Sequence, residues 1–265
     1  MTHSTSAGTA LITGAYSGIG AVYADRLAGR NYDLVLVARN KERLDALARD
    51  LAARTGRRVE VISADLSRTA EVKRIEDRLA RGDVSVLVNN AGLGSGKPLL
   101  DADIDEMESL IAVNTTAVTR LAYAAGRAFV KRGGGTIVNI ASIVAVAPEM
   151  LNGVYGATKA YVLALSQSMR HELESKHVRV QVVLPGAIAT DFWRVSGVPI
   201  ESLPAQMVMS TEDLVDAALA GLDLGEFVTV PSLPEAADWE RLEDARQALR
   251  PNLSRNAPAA RYQVH

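Results

Sequence analysis

Short apolar runs recur along this chain, separated by stretches of helical period. Thr9–Thr13, Tyr32–Ala38, Arg58–Ser63, Val84–Val88, Gly135–Ile140, Val178–Leu184 and Glu226–Val230 have the length and composition of strands. Tyr32-Asp-Leu-Val-Leu-Val-Ala38 is nearly continuous in its apolar character, as strands buried on both faces are. The intervening segments read as helices: the stretch up to about Gly29, Lys41–Arg54 with Leu44, Leu47 and Leu51 on one face, Arg68–Arg81, Asp103 to about Arg132 in two pieces, Val154–Lys176 and Ala236–Leu249. Regular strand–helix alternation predicts an α/β fold: a doubly wound parallel sheet of about seven strands with helices on both faces. No linker or second domain interrupts residues 1–265. The expected core spans 8–232, followed by a C-terminal helix and a polar tail within 234–265. Ala187–Ser210 is the longest stretch without period. It carries Phe192, Trp193, Met207 and Met209 and is expected to form a flexible lid over a substrate; the competing reading is a loop whose aromatics pack on the core.

Ligands bind such sheets beyond the carboxyl ends of the strands. The first strand runs into Gly14-Ala-Tyr-Ser-Gly18-Ile-Gly20 and then a helix. Glycines let a backbone approach a pyrophosphate, and a helix N-terminus offers it free N–H groups. The spacing is G-x-x-x-G-x-G, distinct from both the general dinucleotide fingerprint and a P-loop. The second strand ends at Ala38 without the carboxylate that would hold a ribose 2′-hydroxyl. Arg39 follows, then Asn40; an arginine there suits a 2′-phosphate, against the plainer reading of a solvated cation at a helix start.

Tyr155 and Lys159 are four apart, one turn along one face of a helix. A free tyrosine, with a pKa of about 10, is a poor acid at neutral pH. A nearby ammonium is expected to lower it toward the working range of a general acid/base. Ser142 lies 13 positions upstream, just past a strand, where its hydroxyl can reach the same reacting oxygen. That chemistry is proton donation to a carbonyl oxygen while hydride arrives at the carbon.

Composition narrows the alternatives. The 265 residues include no cysteine, which excludes a disulfide framework, thiolate chemistry and cysteine-ligated zinc. A net charge of −2 gives no nucleic-acid footprint. No apolar run approaches a membrane span, and the polar Met1–Gly8 is unlike a signal peptide, so a cytoplasmic location is expected. His171 and His177 are six apart, not the four of a helical zinc pair, and His3 and His265 are terminal; no metal site is expected.

Taken in order, Thr13-Gly14-x-x-x-Gly18-x-Gly20, Asp65, Asn89-Asn90-Ala91-Gly92, Asn114, Ser142, Tyr155-x-x-x-Lys159 and Pro185-Gly186-x-Ile188-x-Thr190 resemble the short-chain dehydrogenase/reductase family in its ordinary single-domain, Rossmann-type branch. The resemblance spans residues 9 to about 230. It implies an oxidoreductase moving a hydride between NADP(H) and a carbonyl/alcohol pair. By that resemblance Tyr155 is the acid/base, Ser142 positions the carbonyl oxygen, Lys159 binds the nicotinamide ribose and lowers the tyrosine pKa, and Asn114 holds a water in a proton relay. The cofactor would be held by Gly14, Ser17, Gly18, Ile19, Gly20, Arg39 and Asn40, by Asp65 and Leu66 at the adenine, by Asn90, Ala91 and Gly92, and by Pro185, Gly186, Ile188 and Thr190 near the nicotinamide. Phe192 and Trp193 would shape an apolar substrate pocket. The family also implies a homodimer or homotetramer through the two long helices. A non-catalytic NADP-binding sensor on the same fold, or an isomerase or dehydratase using the same tyrosine, are the competing functions.

Overall fold

The computed structural model describes residues 6–193 and 199–263. Residues 194–198 of the expected lid, and His3 and His265, lie outside them. The chain divides into two compact units, Met1–Pro231 and Ser232–His265.

The first unit carries the sheet. Strands β1 (Gly8–Thr13), β2 (Tyr32–Ala38), β3 (Val59–Ser63), β4 (Val84–Asn89), β5 (Gly135–Ile140) and β6 (Val178–Val183) match the apolar runs. Two short strands, β7 (Ala187–Ile188) and β8 (Val208–Met209), precede the last one, β9 (Val228–Thr229). The main sheet is parallel in the order β3-β2-β1-β4-β5-β6-β9. Its order reverses between β1 and β4, which opens a crevice at their carboxyl ends.

Strand side chains alternate between two cores. Ala10, Ile12, Leu34, Leu36, Val86 and Val88 face one layer, where they meet Tyr23 and Leu27 of α1 (Gly18–Gly29), Leu44 and Leu51 of α2 (Lys41–Thr55) and Leu214 and Leu219 of α7 (Thr211–Leu224). Leu11, Val35, Val37 and Leu87 face the other, against Ile75 and Leu79 of α3 (Thr69–Leu79), Leu121 and Phe129 of α5 (Val118–Arg132) and Met169 of α6 (Gly153–Leu173). Helix α4 (Ile104–Ile111) joins α5 through a π-helical turn at Ala112–Ala117, which accounts for a helix in two pieces. Local signals set the helix ends. Asn40 caps α2 by accepting from the Arg43 N–H, and Gly56 ends it in the left-handed region at φ 68°.

Three expectations need correction. The lid is not without regular structure: β7 and β8 pair within it, so Ala187 and Ile188 are held in register with Val208 and Met209. Helix α7 was absent from the sequence reading, although Ser210 caps it on Asp213, Gly225 ends it, and Leu214, Val215, Ala218 and Leu219 share its buried face. In the second unit the expected C-terminal helix is present as α8 (Ala236–Ala248) but buries no residue, and Arg250–Asn252 and Ala260–Tyr262 form single turns in what was expected only as a polar tail. No helix among the described residues is long and apolar enough to cross a membrane.

A buried polar chain ties α6 to the sheet. The Asn89 amide donates to Asn139 Oδ1 at 3.0 Å, the Asn139 amide donates to Ser166 Oγ at 2.9 Å, and Ser166 donates to the Val162 carbonyl. Asn139 and Ser166 are fully buried. Asn139→Ala strips a partner from each neighbour, so it should destabilise the protein by about 1–3 kcal/mol. Urea unfolding measures this; a midpoint unchanged from wild type would show the chain to be dispensable.

Candidate active site

The turn after β1 closes so tightly that only glycine fits. A Cβ on Gly20 would stand 2.3 Å from the Gly14 carbonyl oxygen, and one on Gly14 would stand 2.9 Å from Ala91 Cα. Gly14 and Gly18 also hold φ of 66° and 53°. Thr13 Oγ1 accepts from the N–H groups of Asn90 and Ala91, and the Asn90 amide donates to the carbonyls of Thr13 and Gly14. Asn90 therefore braces the turn through its amide while lining the cavity. Ser17 is the N-cap residue of α1, and its hydroxyl makes no capping bond. Glycine backbone, a helix N-terminus and an uncommitted hydroxyl together fit a dinucleotide pyrophosphate.

At the adenosine end, Arg39 is exposed and lines the same cavity as Gly14, Ser17, Gly18 and Ile19. Asn40 is spent on capping α2. Asp65 accepts from the N–H and hydroxyl of Ser67 at 3.0 and 2.8 Å. Burial pushes its carboxyl up, but the Ser67 bonds and the charges of Arg39 and Arg68 outweigh that and hold it below the usual carboxylate range. Leu66 is buried beside it. Tyr16, which the sequence reading passed over, joins this wall with Arg43 stacked 5.6 Å above its ring. Its signal was an aromatic inside the glycine turn.

The reacting end is built by β5 and α6. Asn152, also missed, caps α6 by accepting from the N–H groups of Val154 and Tyr155, so it fixes the turn on which the tyrosine stands. Lys159 follows one turn later; its ammonium is buried and donates to the Ile140 carbonyl at 3.0 Å. Ser142 leaves the end of β5, accepts from the Val144 N–H and donates to the Pro185 carbonyl, both at a loose 3.4 Å. Gly92 faces this group: a Cβ there would lie 3.5 Å from Lys159 Nζ.

Here the electrostatics correct the sequence reading. Lys159 Nζ lies 5.7 Å from the Tyr155 ring centroid and is bonded elsewhere. Burial pushes the Tyr155 phenol up to about 12, with a Ser142 hydrogen bond pulling only partly the other way. Burial likewise lowers the Lys159 ammonium to about 8. Desolvation is the larger cause for both groups. Asn114 also faces Gly92, its Oδ1 3.4 Å from where a Gly92 Cβ would stand. It sits in the π-helical turn, accepts from the Leu93 N–H, and donates to the Leu93 carbonyl and to Thr158. Its side chain braces the loop after β4, with one lone pair left over.

Past Pro185, Gly186 and Ile188, which line the cavity, Thr190 lies over the glycine turn, its methyl 3.2 Å from where a Gly18 Cβ would stand. Phe192 and Trp193 also line the cavity, but differently. The Phe192 ring lies 5.6 Å from that of Tyr155. Trp193 is buried, and its indole donates to the Ile188 carbonyl at 2.8 Å, so it anchors the segment. One cavity of about 1290 Å³ runs from Arg39 and the glycine turn to Ser142 and Tyr155. The described residues hold no group of three or more His, Cys, Asp or Glu placed to share a metal ion.

The folded-state pKa of Lys159 lies below its ordinary value of 10.5, so between pH 8 and 10.5 the unfolded chain binds more protons and stability rises with pH. Tyr155 acts oppositely and later: its raised pKa costs stability only as pH climbs from about 10 toward 12. The difference in unfolding free energy between wild type and Lys159→Met should therefore move in favour of wild type from pH 7 to pH 10. Denaturant melts across that range measure it; a flat difference would show that Lys159 keeps an ordinary pKa in the fold.

Known proteins share this fold. A family model described as short chain dehydrogenase matches residues 8–197. The chain is similar to a short-chain dehydrogenase from Sphingobium yanoikuyae, solved in complex with NADPH, at 47% identity and a TM-score of 0.92 over 95% of this chain and 98% of that one. It is similar as well to a bulky-bulky ketone specific alcohol dehydrogenase from Comamonas testosteroni, at 44% identity and a TM-score of 0.90 over 97% and 99% of the two chains. Human 17-beta-hydroxysteroid dehydrogenase type 3 is 37% identical over 184 residues, which are 68% of this chain but only 59% of that protein. Because the model match covers well over half its length, the chain belongs to the short chain dehydrogenase family.

Proposed function

We propose that this protein is an NADP(H)-dependent oxidoreductase that interconverts an alcohol and a carbonyl compound, and that its carbonyl substrate is a bulky apolar ketone. The observation that carries the proposal is one continuous cavity, with a dinucleotide cradle at one end and Tyr155, Ser142 and Lys159 at the other. The NADPH complex of the Sphingobium relative and the ketone preference in the name of the Comamonas relative support it. So do the apolar side chains around the reacting end, among them Leu93, Val144, Met150, Phe192 and Met207.

When bound, the cofactor supplies or accepts the hydride at the carbonyl carbon. The protein's part is to hold and move a proton. Tyr155, desolvated and neutral at physiological pH, is in the form that reduction consumes, and donates its phenolic proton to the carbonyl oxygen. Ser142, whose present bonds are loose, turns its hydroxyl to the same oxygen and orients it. Lys159 provides a buried cation that stabilises the phenolate left behind. Glycine backbone and Ser17 hold the pyrophosphate, and Arg39 offers a forked donor pair to the 2′-phosphate. Homodimer or homotetramer formation through α5 and α6 belongs to the same proposal, supported by exposed Tyr123, Val130 and Tyr161 on those helices. A cytoplasmic location is carried with it from the sequence.

Two measurements test the reading. Tyr155→Phe removes only the transferable proton, so ketone reduction should fall by at least about 10²-fold while NADPH still binds. Turnover within a few-fold of wild type would dismiss the assigned role. For the cofactor, kcat/KM with NADPH should exceed that with NADH. Arg39→Ala should erase most of that preference, roughly ten- to several-hundredfold for one or two charge-assisted bonds, and leave NADH nearly untouched. A preference that survives the substitution would place selectivity elsewhere.

A further inference from the structure

Gly94 lies two residues past the Asn89–Gly92 turn, and the ring of Phe192 rests on its backbone. A Cβ built on Gly94 would stand 2.0 Å from one ring carbon of Phe192 and 2.2 Å from the next. Gly94 is not among the glycines with positive φ, so its backbone could carry a side chain; the ring is what it has no room for. Two other aromatic rings pack against that of Phe192. Trp193 stands edge-on at 5.5 Å and is held by its bond to the Ile188 carbonyl. Tyr155 stands at 5.6 Å, tilted by 45°. Phe192 also lines the cavity it shares with Tyr155, where a substituent of a bound ketone would lie.

We propose that Gly94 sets the size of ketone this site admits, by giving Phe192 a seat against the wall beside Tyr155. The inference rests on the carbonyl-substrate reading above. With glycine at 94 the ring lies back and the space beside the tyrosine stays open to a second bulky substituent. Any side chain at 94 drives the ring toward that space. Gly94 itself lines the cavity; its effect on the size of ketone comes through Phe192.

The test measures binding, not turnover. Calorimetry with NADP⁺ present, which cannot reduce a ketone, compares benzophenone, with two ring substituents, and acetophenone, with one ring and one methyl. Gly94→Ala should weaken benzophenone binding roughly ten- to a hundredfold, the scale of overpacking by one methyl, and leave acetophenone within about threefold. In a Phe192→Ala background the same Gly94→Ala change should have little effect on either ketone, because the group the methyl meets is gone. Equal weakening of both ketones, or an undiminished loss without Phe192, would overturn the proposal. If Gly94→Ala alone fails to fold, Phe192→Ala must restore folding; a double variant that stays unfolded overturns it as well. A wild-type protein that binds neither ketone would instead sink the carbonyl-substrate reading itself.

Discussion

The amide of Asn90 bonds the carbonyls of Thr13 and Gly14 across the point where the sheet reverses its order. The cofactor end of the cavity depends on that clamp. It draws the end of β4 onto the end of β1, and the space left is so small that Gly14 and Gly20 can carry no side chain. The same residue type that opens a backbone to a pyrophosphate is thus demanded first by the protein's own packing. Thr13 adds two further bonds from the other side, so the first and fourth strands end as one rigid lip.

The reacting end follows a different physical rule. Tyr155 and Lys159 are brought together by one turn of α6, but they are also driven out of water, and that cost dominates both. Burial favours the neutral form of each: the phenol is pushed up to about 12, and the ammonium is lowered to about 8, which still leaves Lys159 mostly charged at neutral pH. A neutral phenol beside a cation of low pKa suits a site that gives a proton and must then tolerate the phenolate. The buried run from Asn89 through Asn139 to Ser166 keeps α6 seated on β4 and β5 while this happens.

Between these ends, asparagines serve as braces. Asn90, Asn114 and Asn152 direct their amides to backbone groups of the loops around the cavity, and Asn40 caps the helix after Arg39. The groups left open to a ligand are fewer and simpler: the glycine backbone, Ser17, Arg39, and the hydroxyls of Ser142 and Tyr155.

The sequence by itself determined the strands, their parallel order of connection and the place of the site. Apolar runs, helical period and glycine spacing are local properties, and a parallel sheet brings every strand end to one edge. Thus Gly14, Arg39, Asp65, Asn90, Ser142 and Pro185 could be assigned to one crevice from their position after a strand alone. Helix α7 was legible too, in the Ser210 cap and its leucine spacing, but the irregular stretch before it hid its start. What only the tertiary structure decided is what each side chain does there. Spacing puts Tyr155 and Lys159 on one face of a helix, but the sign of their pKa shifts depends on how much water the surrounding core excludes. An asparagine in a motif can face a ligand or a backbone carbonyl, and the choice rests on distances set by residues tens of positions away. Phe192 and Trp193 are neighbours of like chemistry. One became an anchor and the other a cavity wall because of the Ile188 carbonyl and the bare backbone of Gly94, which no local pattern connects to them.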